Sequence, residues 1–303
     1  SSSSNNGTIT NCNVYNNLVD GVRLDWSSNN NTITNCDVYY HSYGIRLWVS
    51  SNNNRITNCD VYNNYYGVYL FSSSNNSTIT NCAVYNNDYG ITSFASSATI
   101  SYNIIKENSG FGVYAASSSI TIQNNDILKN DHGIYLDASS ATISNNLIKE
   151  NRGIGIYSTA PGGATSSVVI RGNQISENTL PGSHAFGIYA VNTQGSVTEN
   201  TINGHRGTPF VPTVTDGVSI LEDFGTGVYC ENSPLEIKSN EIFGNVYGIV
   251  GQNTVGTSVQ YNNLSRNLGK YRYFWSTHNI TEEGEYTIGC GVRFENGVAI
   301  IVS

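Results

Sequence analysis

The sequence predicts an all-β chain, a single parallel β-helix (solenoid) of about eleven coils, and three observations carry that prediction. A short phrase returns about every 22 residues along the 303-residue chain, and a fixed period of that size marks a stacked repeat. Apolar and polar residues alternate within each phrase, the two-residue period of a strand with one buried face. Asn, Ser and Gly punctuate the phrases at constant offsets and reach 43, 37 and 30 residues, a supply of turn formers that only a chain of many corners needs.

In order along the chain, the phrase Thr8-Ile-Thr-Asn-Cys12-Asn-Val-Tyr-Asn-Asn17 returns at Thr32 to Tyr40, Arg55 to Asn64 and Thr78 to Asn87. The cysteine then gives way to Asn and the frame persists through Ile100…Asn108, Ile122…Asn130, Ile143…Asn151 and Ile170…Asn178. It closes with Val197…Ile202, Ile237…Asn245 and Val259…Asn267, eleven units in all. Each unit continues with Gly-Ile/Val-x-Leu, as in Gly67-Val-Tyr-Leu70 and Gly133-Ile-Tyr-Leu136, and then a Ser/Asn turn. Such short strands cannot bury a face alone, whereas stacked coils share one core. The inward positions are then Ile9, Val14, Val22, Leu24 and their equivalents. The Asn positions at the turns are placed to stack as side-chain amide ladders. At about 4.8 Å per coil the rod is roughly 50 Å long.

Two segments interrupt the frame, 179–186 and 204–226, and a third, 268–303, follows the last full unit. The expected organisation is therefore a helix over 1–267 and an antiparallel, hairpin-rich cap or docking segment over 268–303, with Asn296-Gly297 as the hairpin signal. Because the coils stack, the insertions gather on one side of the rod. Chemistry-capable side chains gather with them: His205, Arg206, Lys270, Arg272 and Glu282 are the candidates for a carbohydrate-active site, the cations facing a uronate carboxylate and His or Glu moving a proton.

The version of the phrase at Asn53 to Asn64, Asn-Asn-Arg-Ile-Thr-Asn-Cys-Asp-Val-Tyr-Asn-Asn, resembles the right-handed parallel β-helix repeat family, the pectate-lyase-like superfamily. In style it is most similar to surface and sheath proteins of methanogenic archaea. The resemblance runs from Ser1 to about Asn267. It implies right-handed winding and a cell-surface or extracellular place, and it leaves the activity open, since this fold hosts lyases, hydrolases, epimerases, adhesins and scaffolds.

Charge excludes more. The net charge is −8 with 14 Lys and Arg, scattered singly, so no basic stripe faces nucleic acid. The longest apolar run, Val298 to Val302, is too short to cross a bilayer as a helix. No residue pattern demands a cofactor or a metal. The ladder Cys12, Cys36, Cys59 and Cys82, spaced 24, 23 and 23 residues apart, reads either as stacked buried thiols or as disulfides between coils. Outward Tyr stripes are a strand-pairing device, a subunit interface or a platform for sugar rings. The most continuous stripe is Tyr69, Tyr114, Tyr135, Tyr157, Tyr189 and Tyr229. A chain that starts inside a repeat at Ser1, lacks Met and ends in an apolar strand with Val298, Ile300 and Val302 suggests an excised or mature chain that pairs with copies of itself. The expectation from sequence is thus a structural extracellular protein that self-assembles into a sheath, layer or fibre. The alternative is a carbohydrate-active or carbohydrate-binding β-helix, lyase-like, on an acidic cell-wall polysaccharide.

Overall fold

Corners rather than strands set the architecture. In the computed structural model, nearly every coil turns through single residues in the left-handed backbone region, Asn11 and Asn16, Asn58 and Asn63, Asn81 and Asn86 among them, with φ from 52° to 56°. Asn tolerates that conformation because its short amide bonds locally to the backbone, which accounts for the composition. Later coils place Glu107, Lys129 and Glu150 at the same corners.

The structure describes residues 3–179, 184–207, 217–222, 225–277, 280–288, 290–295 and 298–302, and within 217–222, 269–277, 280–288, 290 and 298–302 the backbone alone. Among these residues the chain winds through eleven coils, each supplying one strand to three parallel sheets. The first sheet runs from Thr8–Thr10 and has twelve strands; the second, from Asn13–Tyr15, and the third, from Asp20–Asp25, have eleven each. Register is strict. Ile33 pairs with Ile56, Ile56 with Ile79 and Ile79 with Ile100 in the first sheet, so like residues stack on like. Their side chains, with Val38, Val61 and Val84 and with Ile45, Val68 and Leu70, form one continuous core in which most are wholly buried.

Two polar ladders close the corners. The Asn103 backbone N–H and Nδ2 both donate to Asn125 Oδ1, at 2.9 and 3.0 Å, while Nδ2 also donates to the Ile79 carbonyl at 2.9 Å. Asn125, Asn146, Asn173 and Asn200 repeat the pattern, satisfying buried amides that no sheet bond reaches. Between the second and third sheets Asn64, Asn87, Asn108, Asn130 and Asn151 do the same. Beside this second ladder runs a glycine column. A Cβ on Gly90 would stand 2.5 Å from the Gly112 carbonyl and 3.0 Å from Asn108 Nδ2, so the coils approach as they do only without a side chain there.

The C-terminal segment holds an antiparallel pair of strands, but not across Asn296-Gly297. Cys290–Glu295 joins the third sheet beside Tyr247–Gln252, and Val298–Val302 joins the first beside Val255–Gln260, both in parallel. The strands on either side of Asn296-Gly297 therefore lie in different sheets. The local Asn-Gly cue yields to the open edge of the preceding coil, which offers each strand a full row of bonding partners. The antiparallel pair within this segment is Gly269–Thr277 with Ile280–Ile288, and Gly217–Glu222, from one interruption of the frame, pairs with Gly269–Thr277.

Candidate functional site

Outward positions of the third sheet fall into three rows. The middle row reads Arg23, Arg46, Tyr69, Thr92, Tyr114, Tyr135 and then Tyr157, Tyr189 and Tyr229 in register. On one side stand Tyr43, Tyr66, Tyr89, Phe111 and His132; on the other, Trp48, Phe71 and Phe94. Parallel pairing one coil apart brings rings to stacking distance. Tyr43 and Tyr66 lie 5.2 Å apart, Tyr66 and Tyr89 5.0 Å, Trp48 and Phe71 4.4 Å, Tyr189 and Tyr229 4.8 Å. A separate stack, Tyr15, Tyr39, Tyr62 and Tyr85, stands on the second sheet with centroids 4.8 to 5.3 Å apart.

The middle row is broken once in its aromatic run. Thr92 stands where the flanking coils carry Tyr69 and Tyr114, and the missing ring leaves a hollow of about 450 Å³ lined by Tyr66, Tyr69, Tyr89, Thr92, Phe94, Phe111, Tyr114 and Tyr135. A smaller hollow of about 230 Å³ lies farther along the face, among His184, Phe186, Tyr189, Thr226, Tyr229, Tyr247, Val250 and Arg293. Burial, reinforced by neighbouring tyrosines, pushes the Tyr66 and Tyr135 hydroxyls up to about 12. Both stay neutral donors near pH 7. At one end of the face Arg46 is held by Asp20 at 2.6 Å and lies over the Tyr43 and Trp48 rings, and Arg23 pairs with Asp25, while Asp137 stands mid-face, its carboxylate adding to the burial that raises the Tyr114 and Tyr135 hydroxyls.

Of the candidates drawn from the insertions, the structure describes the side chains of His205 and Arg206. His205 is wholly buried and is a rung of the second Asn ladder. Its Nδ1 accepts from the Asn178 N–H at 3.3 Å, its Nε2 bonds the Ile175 carbonyl at 3.2 Å, and its own N–H donates to Asn245 Oδ1 at 3.0 Å. An imidazole with both nitrogens spent on backbone is no catalytic base. His41 is the equivalent rung between Asn17 and Asn64. Arg206 is exposed, with Nη2 donating to the Leu268 carbonyl at 3.5 Å. The side chains of Lys270, Arg272 and Glu282 lie outside the described residues; their backbones face Thr287, Glu285 and Trp275 across the antiparallel strands.

Cys12, Cys36, Cys59 and Cys82 are free thiols rather than disulfides. Each Sγ bonds the carbonyl two residues earlier, at 3.2 to 3.4 Å, and the column continues into Asn103, whose Oδ1 accepts from the Cys82 N–H. The thiol is a ladder rung. Cys230 is buried in the core, and that burial pushes its thiol up to about 12. Thr92 is the position that sequence reasoning missed. Its signal is the one Gly-Ile-Thr-Ser in a run of units from Gly67 to Gly227 that otherwise read Gly-Ile/Val-Tyr, visible only when the third strands are laid in register.

Residues 5–166 match the family described as periplasmic copper-binding protein (NosD), and residues 112–285 match the right-handed β-helix region family. No curated protein matches the sequence. Two solved structures share the fold. The A-module of the mannuronan C-5 epimerase AlgE6 of Azotobacter vinelandii has a TM-score of 0.57 at 13% identity, over 94% of this chain and 78% of that one. The Dettilon tailspike protein (gp208) has a TM-score of 0.53 at 13% identity, over 92% and 72%.

These findings correct the expectation of a self-assembling sheath, layer or fibre. The matched proteins are a periplasmic binding family, an epimerase module and a tailspike, with no sheath or archaeal surface protein among them. The apolar strand holding Val298, Ile300 and Val302 pairs with Val255–Gln260 of its own rod and is the last strand of the first sheet. Copper does not fit the described residues either. No three His, Cys, Asp or Glu gather among them, Met is absent from the sequence, and His41 and His205 are spent in the ladder, whereas copper is held by clustered imidazole or sulfur.

Proposed function

The chain belongs to the right-handed β-helix family and to the NosD-type repeat family, and on that premise we propose that it is a carbohydrate-binding β-helix acting outside the cytoplasm, with the outer face of its third sheet as the binding surface. The observation that carries this reading is the aromatic face itself, a run of rings in register over most of the rod with a 450 Å³ hollow in it. Aromatic rings offer flat apolar area, and tyrosine adds a polar tip. A sugar ring has the matching chemistry, an apolar C–H face with hydroxyls around its rim, and a linear glycan laid along the rod meets a ring at each coil.

Two further points support it. A structurally similar protein is by name an epimerase of a polysaccharide, mannuronan, and the family match is described as periplasmic. No described helix is long and apolar enough to cross a membrane. Binding rather than turnover is the reading because the hollow's lining is aromatic and neutral. Any turnover would draw on groups such as Lys270, Arg272 and Glu282.

Retention of the purified protein on a panel of insoluble and soluble polysaccharides tests the reading. Tyr135→Ala and Tyr157→Ala are each expected to weaken binding about tenfold, roughly 1.4 kcal/mol, with the fold intact by circular dichroism. Retention on none of the polysaccharides would end it.

A further inference from the structure

The break in the tyrosine row is more than a missing ring. Thr92 is 3% exposed, its Oγ1 is shut off from solvent, and that atom has no hydrogen-bond partner. A buried hydroxyl without a partner is rare and destabilising, and every other surface around it is ring: Tyr69 and Tyr114 before and after in the row, Tyr66, Tyr89 and Phe111 on one flank, Phe94 on the other. Its volume of about 450 Å³ falls within the ~300–1,000 Å³ usual for small-ligand sites. None of the residues lining it carries a charge at neutral pH, and the nearest arginine in the row, Arg46, is already neutralised by Asp20.

Resting on the carbohydrate reading, we infer that the Thr92 hollow is the anchoring subsite of the face and that it takes an uncharged sugar ring, Thr92 turning about χ1 so that Oγ1, hidden in the free protein, meets one of the ring's hydroxyls. A uronate fits the same shape but brings a carboxylate into a ring-lined hollow with no cation to compensate its lost hydration. Selection therefore runs against the acidic polysaccharide expected from sequence. The unpartnered hydroxyl is stability left unclaimed in the free protein and recovered on binding.

Two substitutions separate the parts of this inference. Thr92→Tyr restores the residue found at the same register position one coil before and one coil after, so the fold is kept while the hollow is filled. Thr92→Val keeps the shape and removes only the hydroxyl. The probes are cellohexaose and mannohexaose as neutral chains and hexagalacturonate as the acidic one, titrated calorimetrically against the full chain, with melting temperature measured alongside. The expected result is binding of at least one neutral hexamer in preference to hexagalacturonate, loss of that binding in Thr92→Tyr, and a several-fold loss in Thr92→Val together with a higher melting temperature. Sugar binding unchanged in both variants would overturn the subsite and leave the aromatic face standing. Preference for hexagalacturonate would overturn the selection of an uncharged ring. Binding of no sugar, hexamer or polymer, would overturn the carbohydrate reading and this inference with it.

Discussion

His205 shows how much a single rung can decide. Burial first, and against it two backbone hydrogen bonds, leave its imidazole pushed down to about 4 from 6.5. The neutral ring mimics an asparagine, one nitrogen accepting from the coil before and the other donating to a carbonyl, and protonation would set an N–H against the Asn178 N–H. A base whose folded pKa is depressed gives stability that is whole above the unfolded value near 6.5 and drains as pH falls toward 4. The melting temperature is therefore expected to drop between pH 7 and pH 4. His205→Asn, which installs the residue of the neighbouring rungs, should flatten that slope by up to roughly 3 kcal/mol; equal slopes in both proteins would refute the account. His132 and His184, also lowered by burial, leave a residual slope of the same sign. At this scale the sequence was partly misleading. A histidine in a long interruption looks like chemistry, and its offset from Asn178 and Asn245 is hidden because the coil spacing stretches from 22 residues or so to 27 on one side and 40 on the other. The cysteines were easier, since constant spacing already made them a column.

Strand and corner together explain why the element pattern was legible. A parallel coil repeats its register, so every inward Ile or Val and every corner Asn recurs at a fixed offset, and the eye needs no distant pairing to find them. The same logic fails where a strand's partner is chosen by an open edge rather than by a local turn, as at Asn296-Gly297. The glycine column offers a direct check. Gly90→Ala places a Cβ against the Gly112 carbonyl at 2.5 Å, a contact only backbone movement relieves, and should cost about 1–3 kcal/mol in urea unfolding. Gly162→Ala is the control: nothing lies within 4 Å of its Cβ, so it pays only for its positive φ of 68°, about 1 kcal/mol or more. Equal losses would mean that coil approach is not what the column protects.

Over the whole molecule, charge is sparse, and the larger hollow is lined by uncharged residues alone, so affinity for a neutral glycan should barely respond to salt. Raising ionic strength from about 0.05 to about 0.5 M is expected to change the Kd less than twofold, whereas a contact dominated by ion pairs would weaken markedly. The architecture was readable from sequence because it is periodic; the hollow was not, because it is a departure from period in one of three rows whose alignment only the folded rod supplies. The two hollows on that face are five strands apart in the third sheet, from Tyr89–Phe94 to Thr226–Glu231, about 24 Å at the spacing of paired strands. Since register admits whole coils only, that separation is quantised. The rod is a ruler, and deleting or duplicating one coil between the hollows would shift the length of glycan able to span both by one fixed increment, leaving the chemistry at either end untouched.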